Sequence, residues 1–147
     1  ETLRRYIEQL PQKQAGWLAG VRDPEIGKAL AFLHRQPARP WTIAALAAEV
    51  GMTRSVLAER FRQYLSETPM AYLARWRLQL GAQMLHATSR SVAEVAGEVG
   101  YESEPSFNRA FKREFGLPPA RFRSHSRTAR STSPATAMAN SRPQMTR

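Results

Sequence analysis

The chain has 147 residues, with 22 Lys and Arg against 12 Asp and Glu, a formal net charge of +10. That length fits one domain or two small subdomains, and the charge favours nucleic acid or an anionic membrane face over a neutral small molecule. There is no Cys, which excludes disulfides, Cys-type zinc sites, thiol nucleophiles and Cys-ligated iron–sulfur clusters. Hydrophobic residues make up 42%, enough for a core. No apolar run approaches the roughly 18 residues of a membrane helix, and no signal-peptide pattern is present. A secreted or membrane-spanning protein is disfavoured, and a cytoplasmic one is expected.

In chain order, Asp23-Pro24 reads as a cap and first turn for a helix through His34. TIAALAAEV (42–50) sets Ile43, Leu46, Ala47 and Val50 at helical spacing, with Thr42 as N-cap and Gly51 beyond the end. A second helix follows from about Arg54, with Leu57, Phe61 and Leu65 inward. Pro69 opens a long helix whose stripe is Leu73, Trp76, Leu80 and Met84, widened by Tyr72, Leu78 and Leu85. Ser91 and Glu94 have capping-box spacing before Val92, Val95, Ala96 and Val99. The next helix, from about Ser103, buries Phe107, Phe111 and Phe115 and stops at Gly116. No strand alternation competes. The fold class is all-α.

An internal repeat organises these helices. IAALAAEVGM (43–52) and VAEVAGEVGY (92–101) agree at five of ten positions at an offset of 49. One extra residue in the second turn makes the offset 50, which pairs Leu57 with Phe107, Phe61 with Phe111, Leu65 with Phe115, Pro69 with Pro119, and Tyr72 with Phe122. A helix, a tight Gly-containing turn and an apolar-backed second helix describe a helix-turn-helix. Alanine-rich amphipathic helices packed only for stability would explain one copy. Two copies in a basic chain favour the helix-turn-helix.

GYESEPSFNRAFKREFGLPPARFR (100–123) resembles the C-terminal signature of the AraC/XylS family of bacterial transcription regulators. WTIAALAAEVGMTRSVLAERFRQYLSETPMAYLARWRLQLGAQML (41–85) resembles that family's first helix-turn-helix and connecting helix. The resemblance covers about residues 37–124. It implies two helix-turn-helix subdomains joined by a long connecting helix, which bind double-stranded promoter DNA and regulate transcription, often as an activator with RNA polymerase as partner. The upstream stretch is similar to the segment that joins a cupin-type sensor to this domain in one subgroup. The expected organisation is a helical connector from an absent N-terminal sensor at 1–36, the first subdomain with its connecting helix at 37–87, the second at 88–125, and a disordered basic tail at 126–147. The absent region is where a homodimer contact is expected, and the location implied is cytoplasmic and nucleoid-associated.

A recognition helix buries one face and offers the other to the major groove. Burial of Leu57, Phe61 and Leu65 leaves Ser55, Ala58, Glu59 and Arg62 outward; burial of Phe107, Phe111 and Phe115 leaves Pro105, Asn108, Arg109 and Lys112 outward. The family's base-reading positions map onto these residues, with Glu104 also near the groove. Arg109 suits the O6 and N7 of guanine, and Asn108 suits the edge of adenine. Ala58 could touch a thymine methyl and Glu59 could accept from cytosine N4, or Glu59 could pair with Arg60 or Arg62. Candidate phosphate contacts are Thr53, Arg54, Arg62, Arg90, Ser103, Lys112 and Arg113, with helix N-termini at Thr42 and Ser91. Trp76 is expected in the core of the connecting helix, which should set the two recognition helices in successive major grooves about 34 Å apart.

An enzyme is disfavoured. The histidines His34, His86 and His125 are scattered, with no metal-ligand spacing, and neither a phosphate-cradling glycine loop nor GxSxG is present. No cofactor or metal is expected. RNA binding would call for aromatic stacking platforms that are missing. The competing reading is a helical protein-interaction module that has lost specific DNA binding. Six basic and four acidic groups leave +2 on residues 1–35, twelve and eight leave +4 on 36–125, and four Arg leave +4 on 126–147. Much of the net charge therefore lies outside the repeated body.

Overall fold

The computed structural model describes residues 23–131, which form seven α-helices and no strand. These are α1 (Pro24–Arg35), α2 (Ile43–Val50), α3 (Arg54–Leu65), α4 (Pro69–Ala87), α5 (Val92–Val99), α6 (Glu104–Phe115) and α7 (Pro119–Ser131). Six of the seven starts have a side-chain cap. Asp23 Oδ1 accepts from the backbone N–H groups of Glu25 and Ile26 at 3.1 and 3.4 Å, with Pro24 at the first helical position. Thr42, Thr53, Thr68, Ser91 and Ser103 each cap the next helix with a side-chain oxygen, 3.0 to 3.2 Å from the N–H three residues on. Gly51, Gly100 and Gly116 end α2, α5 and α6 in the left-handed region, and Ser66 does the same for α3 at φ 60°.

Two apolar cores result. The first joins Ile26, Ala29, Leu30 and Leu33 of α1, Leu46, Ala47 and Val50 of α2, Leu57 and Phe61 of α3, Trp41, and Leu73 of α4. The second joins Leu78, Ala82 and Leu85 of α4 with Val95, Ala96, Val99, Phe107, Phe111, Phe115 and Phe122. Helix α1 falls within the stretch expected as a connector, yet it supplies four fully buried side chains to the first core. Helix α7 carries the chain through 126–131, so helix replaces the expected structureless tail there. The remainder of that tail and residues 1–22 lie outside the described residues.

The stripe expected on α4 needs correction. Leu73, Leu78, Ala82 and Leu85 are buried, whereas Trp76, Leu80 and Met84 are only half-buried. A helix that serves two cores needs two faces, and at 100° per residue Leu73 and Leu78 lie about 140° apart. A single periodic stripe cannot describe that. Trp76 stacks on His34 with ring centroids 4.2 Å apart, and His34 Nε2 is 2.6 Å from the Tyr72 hydroxyl. Burial lowers the His34 pKa to about 4 and raises that of Tyr72 to about 12.

The repeat extends further than the sequence alone suggested. The buried positions Ile26, Ala29, Leu30 and Leu33 of α1 recur in α4 as Leu78, Gly81, Ala82 and Leu85. Each helix-turn-helix is therefore backed by an equivalent leading helix. The ring pairs repeat too: Tyr72 meets Phe61 at 5.6 Å edge-on, and Phe122 meets Phe111 at 5.3 Å edge-on.

Candidate nucleic-acid interface

Helix α3 turns Leu57 and Phe61 into the first core, and this leaves Arg54, Ser55, Glu59 and Arg62 exposed. Ala58 is half-buried, so less of it reaches the outer face than expected. The Glu59 carboxylate makes no salt bridge with any described residue, because Arg60 pairs instead with Glu25 at 3.0 Å and Asp23 at 3.5 Å. The Arg60 alternative for Glu59 is thereby overturned: Arg60 points back to the start of α1. Two side chains escaped the sequence reading. Val56 is 38% exposed and Tyr64 39% exposed, the two large apolar residues left open to solvent among those described. A signal for Val56 existed: its repeat partner at an offset of 50 is the polar Ser106.

Helix α6 buries Phe107, Phe111 and Phe115 and exposes Glu104, Pro105, Arg109, Lys112 and Arg113. Asn108 departs from expectation. It is half-buried, and its Oδ1 is enclosed without a hydrogen-bond partner. Two-ended pairing with adenine needs both the amide oxygen and the amide nitrogen, so the Asn108 side chain must rotate before it can read a base in that way.

The exposed cations of the two outer faces differ from several others in their partners. Arg54, Arg62, Arg109, Lys112 and Arg113 stand exposed on α3 and α6 with no ion pair to a described residue. Arg39 is bound to Glu49, Arg75 to Glu67 and Arg90 to Glu98. Arg90 must leave Glu98 before it can meet a phosphate. Thr53 and Ser103 are exposed, but their side-chain oxygens already cap α3 and α6, and Ser103 Oγ also lies 2.6 Å from Ser106 Oγ. At Thr42 and Ser91, the N-terminal N–H groups of α2 and α5 lie at exposed helix starts. No described group of three or more His, Asp or Glu side chains is placed to hold a metal ion. Among the described residues, no helix is long and apolar enough to cross a membrane.

Where the two units meet, a cleft of about 610 Å³ is lined by Trp41, Thr42, Arg77, Gly100, Tyr101 and Ser106, among others. Arg77 of α4 closes one side of it. Its Nε donates to the Pro37 carbonyl at 2.8 Å and its Nη2 to the Arg39 carbonyl at 2.9 Å.

Residues 46–125 match the family described as a helix-turn-helix domain. A putative AraC-like transcription regulator of Streptomyces lividans is 45% identical over 123 residues, which are 84% of this chain and 40% of that protein. The HTH-type transcriptional regulator AlkR of Acinetobacter baylyi is 40% identical over 126 residues, 86% of this chain and 41% of that protein. The chain thus spans about two-fifths of the length of these relatives. Among solved structures, the DNA-binding domain of AdpA, determined in complex with a target DNA, superposes with a TM-score of 0.69 at 27% identity, covering 73% of this chain and 96% of that one. With two capped helix-turn-helix units on a shared central helix, and with these likenesses over most of its length, the chain belongs to the AraC/XylS family of helix-turn-helix domains.

Proposed function

We propose that the chain binds duplex DNA in a sequence-specific manner through α3 and α6, set in successive major grooves, and so regulates transcription. The observation that carries this reading is the set of exposed cations on the outer faces of the two recognition helices, Arg54, Arg62, Arg109, Lys112 and Arg113. None of them forms an ion pair with a described residue, whereas Arg39, Arg60, Arg75 and Arg90 are engaged by carboxylates. Unpaired cations beside a polyanion gain the entropy of released counterions without first breaking an ion pair. Ser55, Ala58, Glu59, Glu104, Pro105, Asn108, Arg109 and Lys112 are the proposed base readers. Thr53, Arg54, Arg62, Arg90, Ser103 and Arg113 are the proposed phosphate contacts. Binding beside a promoter, with RNA polymerase as partner, gives an activator working in the cytoplasm at the nucleoid. A homodimer contact is proposed through an N-terminal sensor domain of the longer protein, in the part that the relatives have and this chain does not span.

Selection from random duplexes tests this. A two-part site is expected, with affinity falling on log[salt] by about 0.9 for each phosphate neutralised. Arg109→Ala should relax the preference at one base pair, and Arg113→Ala should weaken all sequences alike and lower the salt slope by about 1. Equal losses on every sequence for Arg109→Ala would end its assignment as a base reader. Failure to retain any duplex would favour the protein-interaction reading, for which the exposed Val56 and Tyr64 would be the apolar contacts.

A further inference from the structure

The two copies of the repeat end their first helix on equivalent glycines, yet the glycines differ in what surrounds them. Both are left-handed, Gly51 at φ 70° and Gly100 at φ 102°. A Cβ added at Gly51 would meet nothing within 4 Å. At Gly100 it would lie 2.8 Å from the Pro37 carbonyl oxygen, 2.9 Å from Arg77 Nε and 3.0 Å from Ala38 Cα. Gly51 thus answers only to the helix cap. Gly100 also lets the turn of the second unit dock on the α1–α2 loop of the first.

That loop is held as a firm seat. The Trp41 indole N–H donates to the Gln36 carbonyl at 2.9 Å. The Arg39 guanidinium lies 4.0 Å over the Trp41 ring and reaches Glu49 at 3.1 Å. Arg77 then spans Pro37 and Arg39 with two bonds to carbonyls from a half-buried position on α4. The substantial helix packing between the two units otherwise runs through α4 itself. The contact of Arg77 with Gly100 therefore bears directly on the rotation of one recognition helix relative to the other.

We propose that Arg77, with Gly100 docked against it, is a positioning residue that sets which spacing between half-sites the protein accepts. The proposal rests on the reading that α3 and α6 each enter a major groove. Planar guanidinium geometry suits the role, because two donors in a fixed fork hold two carbonyls at once, and a lysine ammonium cannot reproduce that fork. Adding one base pair between half-sites moves the second groove by about 3.4 Å and rotates it by about a tenth of a turn. A clamped pair of helices resists such a shift, whereas an unclamped pair follows it.

The test uses the full chain and the two-part duplex selected by it, together with duplexes carrying one base pair more or one fewer between the halves. For the unsubstituted protein, affinity should fall about tenfold or more on both altered duplexes, the scale of a lost base contact. Arg77→Ala, Arg77→Lys and Gly100→Ala should each reduce that discrimination to about threefold or less, on the same scale. Gly51→Ala, which strains a left-handed cap without touching the seam, should retain it. Circular dichroism and thermal melting identify which variants are folded, and Arg77→Lys keeps the charge and most of the packing should Arg77→Ala fail to fold. Full spacing discrimination in folded Arg77→Lys and Gly100→Ala would overturn the proposal. So would a uniform loss on all three duplexes, which would make Arg77 a phosphate contact or a purely structural group. If the unsubstituted protein selects no two-part site, the reading of two groove-bound helices fails, and the clamp with it.

Discussion

His34 shows how one half-buried side chain ties stability to pH. Its ring lies between the Trp76 indole and the Tyr72 hydroxyl, and burial lowers its pKa from 6.5 to about 4. The unfolded chain binds a proton near pH 6.5, but the folded protein does not do so until about pH 4. Stability from the neutral ring is therefore complete above about pH 6.5, declines as the pH falls through that window, and levels off below about 4. The urea midpoint should drop between pH 7.5 and pH 5, and His34→Phe should flatten that drop. Identical drops in both proteins would exclude His34 as its source. The residue scale is also where the sequence was least informative. Periodicity put Asn108 and Arg109 on one outward face, and only Arg109 stands fully open. The enclosed Oδ1 of Asn108 and the backward turn of Arg60 depend on neighbours from other elements, which a local pattern does not contain.

Single helices were far more legible. Caps, first-turn prolines and terminal glycines are local chemistry, so Asp23, Thr42, Ser91, Gly51 and Gly116 mark boundaries in the sequence much as they do in the fold. Helix α4 is the exception, because its inward face changes along its length. Its Gly81 has a reason that no local pattern discloses. An added Cβ would lie 2.9 and 3.0 Å from two ring carbons of Phe107, a fully buried side chain packed between Tyr101 and Phe111. Alanine would gain about 1 kcal/mol of helix propensity, but overpacking a closed core costs about 1–3 kcal/mol. The Phe107 ring is fully buried and already in contact with Tyr101 and Phe111, so the clash should win. Gly81→Ala is expected to lower stability by about 1–2 kcal/mol in urea titration. A gain in stability would mean that the Phe107 ring gives way.

At the scale of the molecule, the all-α architecture and the two joined helix-turn-helix units follow from the repeat, and the family likeness agrees with both. The sequence revealed the connecting helix that joins the units but not the seam beside it. That seam depends on Arg77 and Gly100, whose partner Pro37 lies some 40 and 60 residues away along the chain. The equivalence of α1 with the second half of α4 has a thermodynamic consequence. Each unit owns a complete core, and one helix contributes to both. Such a chain behaves as two neighbouring cooperative units with a coupling term, much like adjacent modules of a repeat protein. Native-state hydrogen exchange should then sort the slow amides of α1–α3 and of α5–α6 into two groups. Gly81→Ala should lower the protection of the second group and leave the first nearly unchanged. Equal loss in both groups would mean that the protein opens as one unit. With two such exchange groups, a shared helix would let either helix-turn-helix unit loosen and refold while its partner stays whole.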